Sequence, residues 1–241
     1  MQIRRDHRYG KTHPRHRLDF YASASEFVDG EQPICLVFLH GGAWRTGDKS
    51  EYDALGMAFA ERGFLVAIPN YRLSTEPGVV HPDHAEDALQ AIRHIGYSHI
   101  VVVGHSAGAH MAAWLAAESH DFIKGFVGLQ GIYDIPSLVS EWPTYREWFI
   151  EAAFGGEEGW AGASPTRRPV VSNAPWLVVH ASGDELVDGG QSSLWLATLQ
   201  ANGVPAEVFD PGDVSHFDVV HNLSKTGDPT AEAIIRFAHG L

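Results

Sequence analysis

Ser106 stands in Gly104-His105-Ser106-Ala107-Gly108, a G-x-S-x-G string fed by the apolar run Ile100-Val101-Val102-Val103 and followed by an Ala-rich, helix-prone stretch from Ala107 to Glu118. The string alone is a weak signal, but a strand that turns sharply into a helix carries a serine with its hydroxyl exposed above a sheet. Glycines on either side leave room where strand and helix crowd together. A hydroxyl is a poor nucleophile at neutral pH and needs a base held by a third group. Asp184, in Gly183-Asp184-Glu185, and His216, in Ser215-His216-Phe217, follow strand-like segments that end at His180 and Phe209. Both are therefore expected at C-terminal strand ends, on the edge that carries Ser106, where open parallel sheets bind ligands. The reading is nucleophilic acyl transfer, with Ser106 as nucleophile, His216 as base and Asp184 as the group that orients the imidazole. Glu185, Asp188 and Asp210 are rival acids, and most of the other 14 histidines are expected to be solvated or at helix ends.

His40-Gly41-Gly42-Ala43-Trp44 closes the strand that starts at Pro33 and should lie beside the nucleophile. Consecutive glycines let the backbone turn its N–H groups into the site, so Gly41, Gly42 and Ala43, together with the N–H of Ala107, are the candidate oxyanion donors. The positive end of the helix that follows Ser106 favours the same negative charge. His81 and His84 have the spacing H-x-x-H but lack an intervening glutamate and an evident third ligand, so no metal site and no cofactor are expected.

The elements that must position these groups alternate between strand and helix. Leu18–Tyr21, Pro33–His40, Phe64–Ile68, His99–Val103, Gly125–Leu129, Trp176–His180 and Ala206–Phe209 read as strands. Helices are expected over Tyr52–Arg62, Pro82–Ile95, Ala107–Glu118, Gln191–Ala201 and Pro229–His239. The fold class is α/β, a mostly parallel sheet flanked by helices, as a single domain over 1–241. Residues 132–173 break the rhythm. They hold Trp142, Trp148 and Trp160, and with Trp44 these are the candidate substrate-binding aromatics under a cap-like insertion.

Composition excludes several classes of partner. Lys+Arg 17 against Asp+Glu 30 leaves a net charge of -13 in 241 residues, a field that repels nucleic acid and anionic membranes. Cys35 is the only cysteine, so there is no intrachain disulfide framework, and no apolar run reaches the ~20 residues that span a bilayer. A cytoplasmic monomer or homodimer acting on a small molecule is expected.

The quoted strings, with Asn70-Tyr71-Arg72-Leu73, give the chain a resemblance to the α/β-hydrolase superfamily over essentially its whole length. Within the H-G-G-x esterase and lipase branch it looks most like the kynurenine formamidases, or arylformamidases, of the small fungal type. That resemblance implies cofactor-free hydrolysis of N-formyl-L-kynurenine to L-kynurenine and formate in tryptophan breakdown, with Ser106, His216 and Asp184 in the roles given above. A general carboxylesterase on small or aryl esters uses the same machinery, and a non-catalytic ligand-binding protein of this fold is the third reading.

Overall fold

Strands buried on both faces need an apolar residue at every position, and the central runs of this chain supply one. The computed structural model describes residues 1–23 and 33–241. In chain order its elements are β1 (Gln2–Arg8), β2 (Arg17–Ala22), β3 (Cys35–Leu39), α1 (Asp53–Ala60), β4 (Leu65–Pro69), α2 (Asp83–Ile95), β5 (Ile100–His105), α3 (Ala107–Leu115) and β6 (Ile123–Leu129). There follow α4 (Ile135–Glu141), α5 (Glu151–Phe154), α6 (Glu157–Ala163), β7 (Trp176–Val179), α7 (Gly189–Ala201), β8 (Ala206–Phe209), α8 (Asp218–His221) and α9 (Pro229–His239). The strand order is β1-β2-β4-β3-β5-β6-β7-β8. Pairing is antiparallel for β1–β2 and β2–β4 and parallel from β4 onward. The expected α/β architecture, a mostly parallel sheet flanked by helices, is the observed one.

Side-chain alternation divides the core between the two faces. Val37, Val102 and Val178 pack with residues of α2, α3 and α7, while Leu36, Phe38, Val101 and Val103 pack with α1, α8 and α9. Register then fixes the working edge. Leu39 aligns with Gly104, His105 with Leu129, Leu129 with Val179, and Val179 with Phe209. Five neighbouring strands thus end in one row, and the loops that leave it carry Gly41–Ala43, Ser106, Ile132, Asp184 and His216.

One region differs from the sequence expectation. β1 has no counterpart there, because all seven of its residues are exposed and an edge strand wetted on both faces shows no apolar alternation. It is held by its antiparallel ladder with β2, and ion pairs flank it, Arg5 to Asp53 at 2.7 Å and Asp6 to Lys49 at 3.0 Å. Residues 132–173 contain no strand but three short helices and a π-helical turn, Arg146–Ile150. Their apolar side chains form a third cluster above the sheet edge, and Gln191 on α7 anchors it by accepting the N–H groups of Tyr133 and Asp134, both at 2.8 Å.

Candidate active site

Ser106 has φ +54° and ψ −115°, a backbone region that side-chain-bearing residues rarely occupy. Packing holds it there. Its N–H donates to the Leu129 carbonyl at 2.9 Å, and its own carbonyl receives the N–H groups of Ala109 and His110 at 3.0 and 3.2 Å. A Cβ on Gly108 would run into the carbonyl oxygen of Leu39, and one on Gly104 into that of Gly108, so α3 lies against β3 and β5 with no room for a methyl group. The elbow leaves Ser106 facing a cavity of about 310 Å³ that His216 also lines.

His216 Nδ1 lies 3.0 and 2.9 Å from the two carboxylate oxygens of Asp184. An ionised carboxylate only accepts, so Nδ1 carries the proton and donates it, leaving Nε2 with a free lone pair. The Asp184 side chain is fully buried, and its Oδ1 also accepts the N–H groups of Leu186 and Val187 at 2.8 and 2.9 Å. The rival acids are engaged elsewhere. Glu185 Oε2 accepts the backbone N–H of His216 at 3.0 Å, Asp188 caps α7 through the N–H of Gly190 at 2.8 Å, and Asp210 takes the N–H groups of Ser182 and Gly212 at 3.2 and 2.8 Å.

The backbone takes positive φ at three successive residues, Gly42 (+104°), Ala43 (+53°) and Trp44 (+57°). Only glycine adopts that geometry without cost, so two of the three positions carry strain that the surroundings must hold. The Gly42 carbonyl receives the N–H groups of Arg45 and Thr46, both at 3.0 Å. Below the turn the Tyr71 ring stacks on His40 at 4.3 Å and its hydroxyl donates to the His40 carbonyl at 2.8 Å. Asn70 Oδ1 accepts the Lys49 N–H at 2.7 Å, and Arg72 grips the Asp87 carboxylate through Nε and Nη2, each at 2.8 Å, so Asn70-Tyr71-Arg72 is a brace under the turn. Among the described residues no hydrogen bond takes up the N–H of Gly42 or Ala43. Gly41 is close enough to Ser106 that a Cβ on it would lie 3.2 Å from the serine Cβ. Ala107 is the first residue of α3, where an N–H has no partner within the helix.

The four candidate tryptophans separate. Trp148 lines the cavity and is 55% exposed. Trp44 does not line it, being fully buried edge-on to Phe154 at 4.7 Å and to His110 at 5.0 Å. Trp160 is 2% exposed and donates from Nε1 to the Gly155 carbonyl at 3.1 Å, and Trp142 stacks on Tyr145 at 5.8 Å behind the wall. These three glue the insertion together, whereas Tyr145 and Phe149 of the same insertion provide aromatic lining, and Phe217, which the sequence does not single out, adds to it.

Nine of the other 14 histidines keep some exposure and five do not. His16, His40, His84, His105 and His110 are buried. Burial pushes the imidazoles of His40, His84 and His110 down to about 4, 3 and 4, and His105 well below the ordinary value. His81 and His84 sit among aromatic rings and Ser74, and no group of three or more metal-ligating side chains gathers among the described residues. Nor is any helix among them long and apolar enough to cross a membrane.

This sheet order, with a serine elbow after β5 and an acid and a histidine beyond β7 and β8, defines an α/β hydrolase. The esterase B structure from Lactobacillus rhamnosis has the same fold, with a TM-score of 0.82 at 17% identity over 99% of this chain and 85% of that one. Residues 18–199 match the BD-FAE family, and the chain belongs to it. The matched stretch contains the Gly41–Ala43 turn, Ser106 and Asp184 and stops short of His216. Among curated relatives, the isoprenylcysteine alpha-carbonyl methylesterase of Arabidopsis thaliana is 34% identical over 90% of this chain and 57% of its own length, so the chain spans little more than half of that protein. The kynurenine formamidase of Meyerozyma guilliermondii is 32% identical over 74% of this chain and 76% of its own length.

Proposed function

We propose that the chain is a serine hydrolase that cleaves N-formyl-L-kynurenine to L-kynurenine and formate. The observation that carries the hydrolase reading is the buried Asp184 carboxylate on His216 Nδ1, which leaves Nε2 free in the cavity that Ser106 faces. Ser106 Oγ attacks the formyl carbon while His216 Nε2 takes its proton. The N–H groups of Ala107, Gly42 and Ala43, with Gly41 shaping the turn, receive the oxyanion. The C–N bond breaks as His216 returns the proton to the aryl amine, leaving Ser106 formylated. Water then attacks through the same imidazole and formate departs.

Two features support a formamide of an aryl amine. A formyl group needs almost no space on the acyl side, and Tyr145, Trp148, Phe149 and Phe217 give the leaving group an aromatic slot. The 34% identity to a methylesterase favours a second reading, a carboxylesterase on small or aryl esters with the same residues in the same roles. The deciding experiment is kcat/KM for N-formyl-L-kynurenine beside p-nitrophenyl acetate. A formamide preference of about 100-fold, about 2.7 kcal/mol of transition-state discrimination, is expected, and an ester preference moves the assignment to carboxylesterase.

A further inference from the structure

Among the described residues Arg45 is the one permanently charged side chain on a cavity whose walls are otherwise apolar, aromatic or hydroxyl-bearing. Its position is set by the turn beside the nucleophile, because the Arg45 N–H is bonded to the Gly42 carbonyl at 3.0 Å. Trp44 goes into the aromatic cluster beneath, and the next side chain, Arg45, reaches the cavity. Its Nη1 donates to the backbone carbonyl of Trp148, which also lines the cavity. Arg5, Arg15, Arg72, Arg146 and Arg167 all have carboxylate partners. Among the described residues Arg45 has none, a state it shares with Arg62 and Arg168, and what sets it apart from them is its place on the cavity wall beside Ser106. A guanidinium has five N–H donors in a planar fork, and one neutral carbonyl leaves most of them available. Thr46 and Thr75 also line the cavity, the Thr46 hydroxyl donating to the Gly42 carbonyl at 3.2 Å.

We infer that Arg45 is a specificity-determining residue that receives a free carboxylate on the substrate, so that the site selects aryl formamides or aryl esters bearing a carboxylate over neutral analogues. The forked donors match a carboxylate in two parallel bonds. A substrate whose carboxyl group is capped as an ester cannot make this contact as an anion. The kinetic form of the inference rests on the proposed hydrolase reading, and its binding form rests on the cavity alone.

The binding test uses the full chain with Ser106→Ala and calorimetric titration of 3-benzoylpropanoate and 3-benzoylpropanamide, an aryl ketone pair that differs in charge. The acid should bind at least tenfold more tightly than the amide, and Arg45→Gln should remove that ratio while Arg45→Lys keeps part of it. Equal binding of acid and amide with Arg45 present overturns the inference. In turnover, 3-acetoxybenzoate and 3-acetoxybenzamide give the same comparison, and Arg45→Gln should lower kcat/KM for the acid at least tenfold more than for the amide. A loss of equal size for both overturns it, since Arg45 then only secures Trp148. If the acid preference appears in binding but no formamide is cleaved, the formamidase reading fails and the role of Arg45 stands.

Discussion

The Nε2–H of His105 donates to the carbonyl oxygen of His216 at 2.9 Å, so the residue before the elbow serine holds the backbone of the histidine that shares its cavity. His105 is suited to this because burial keeps it neutral, with one nitrogen able to donate. Glu185, the residue after Asp184, holds the other side of His216 through its N–H at 3.0 Å. The imidazole is thus aimed by Asp184 and its backbone is held from two directions.

Removing one of these holds should misaim the proposed base without unfolding the protein. Glu185→Ala is expected to lower kcat about tenfold with a small change in Tm, the scale of one hydrogen bond to a charged group. Glu185→Gln, which keeps an acceptor, should recover most of the loss. Steady-state kinetics with thermal melts of the two variants check this, and a large fall in Tm for both would make Glu185 a stability residue.

Asp184→Asn keeps the shape of the side chain and removes its charge. The amide can present N–H to His216, which favours the wrong tautomer, so kcat should fall by about 10³–10⁴-fold with KM little changed. A variant within tenfold of the parent would mean that another acid orients the base.

Two tryptophans of the insertion should respond in opposite ways. Trp148, exposed on the cavity wall, is expected to raise KM for aryl substrates when changed to Ala, with Tm nearly unchanged. Trp160, buried and bonded to Gly155, should cost about 3–5 kcal/mol of stability on the same change. Urea unfolding and KM measured side by side separate the roles.

Acid should weaken the fold before its carboxylates are protonated. Burial lowers the folded-state values of His40, His84 and His110 to about 4, 3 and 4. Above about pH 6.5 these groups are neutral in folded and unfolded chain alike and add no pH dependence. Between about pH 6.5 and 4 the unfolded chain binds protons that the folded chain refuses, so stability falls as pH falls, by about 1–2 kcal/mol per histidine at pH 5. The depressed carboxylates Asp48, Asp53 and Asp134 act only at lower pH. The urea midpoint should drop clearly from pH 7.5 to pH 5, and an unchanged midpoint would contradict the neutral burial of these rings.

The sheet was legible because parallel strands buried on both faces are continuous apolar runs, and the strand ends at Leu39, His105, Val179 and Phe209 placed four loops on one edge. β1 was not legible, since its backbone pairs with β2 while all seven residues stay exposed, and no apolar period marks it. The aromatic content of residues 132–173 was plain, but its direction was not. Whether Trp148 or Trp160 meets the cavity depends on a π-helical turn and on crossings that composition does not encode. His105, Glu185 and Arg45 were hidden for a related reason, because each acts through a residue far away in the chain or across a loop. His105 was nonetheless within the serine motif, one position from the elbow.

The central claim is that Ser106 is the nucleophile, and covalent capture tests it most directly. The full chain is treated with an aryl fluorophosphonate, digested and read by mass spectrometry. One equivalent of phosphonyl adduct on the peptide containing Ser106, absent after Ser106→Ala together with all turnover above the uncatalysed rate, is the predicted result. Label on another residue, or substrate turnover that survives Ser106→Ala, would contradict the account.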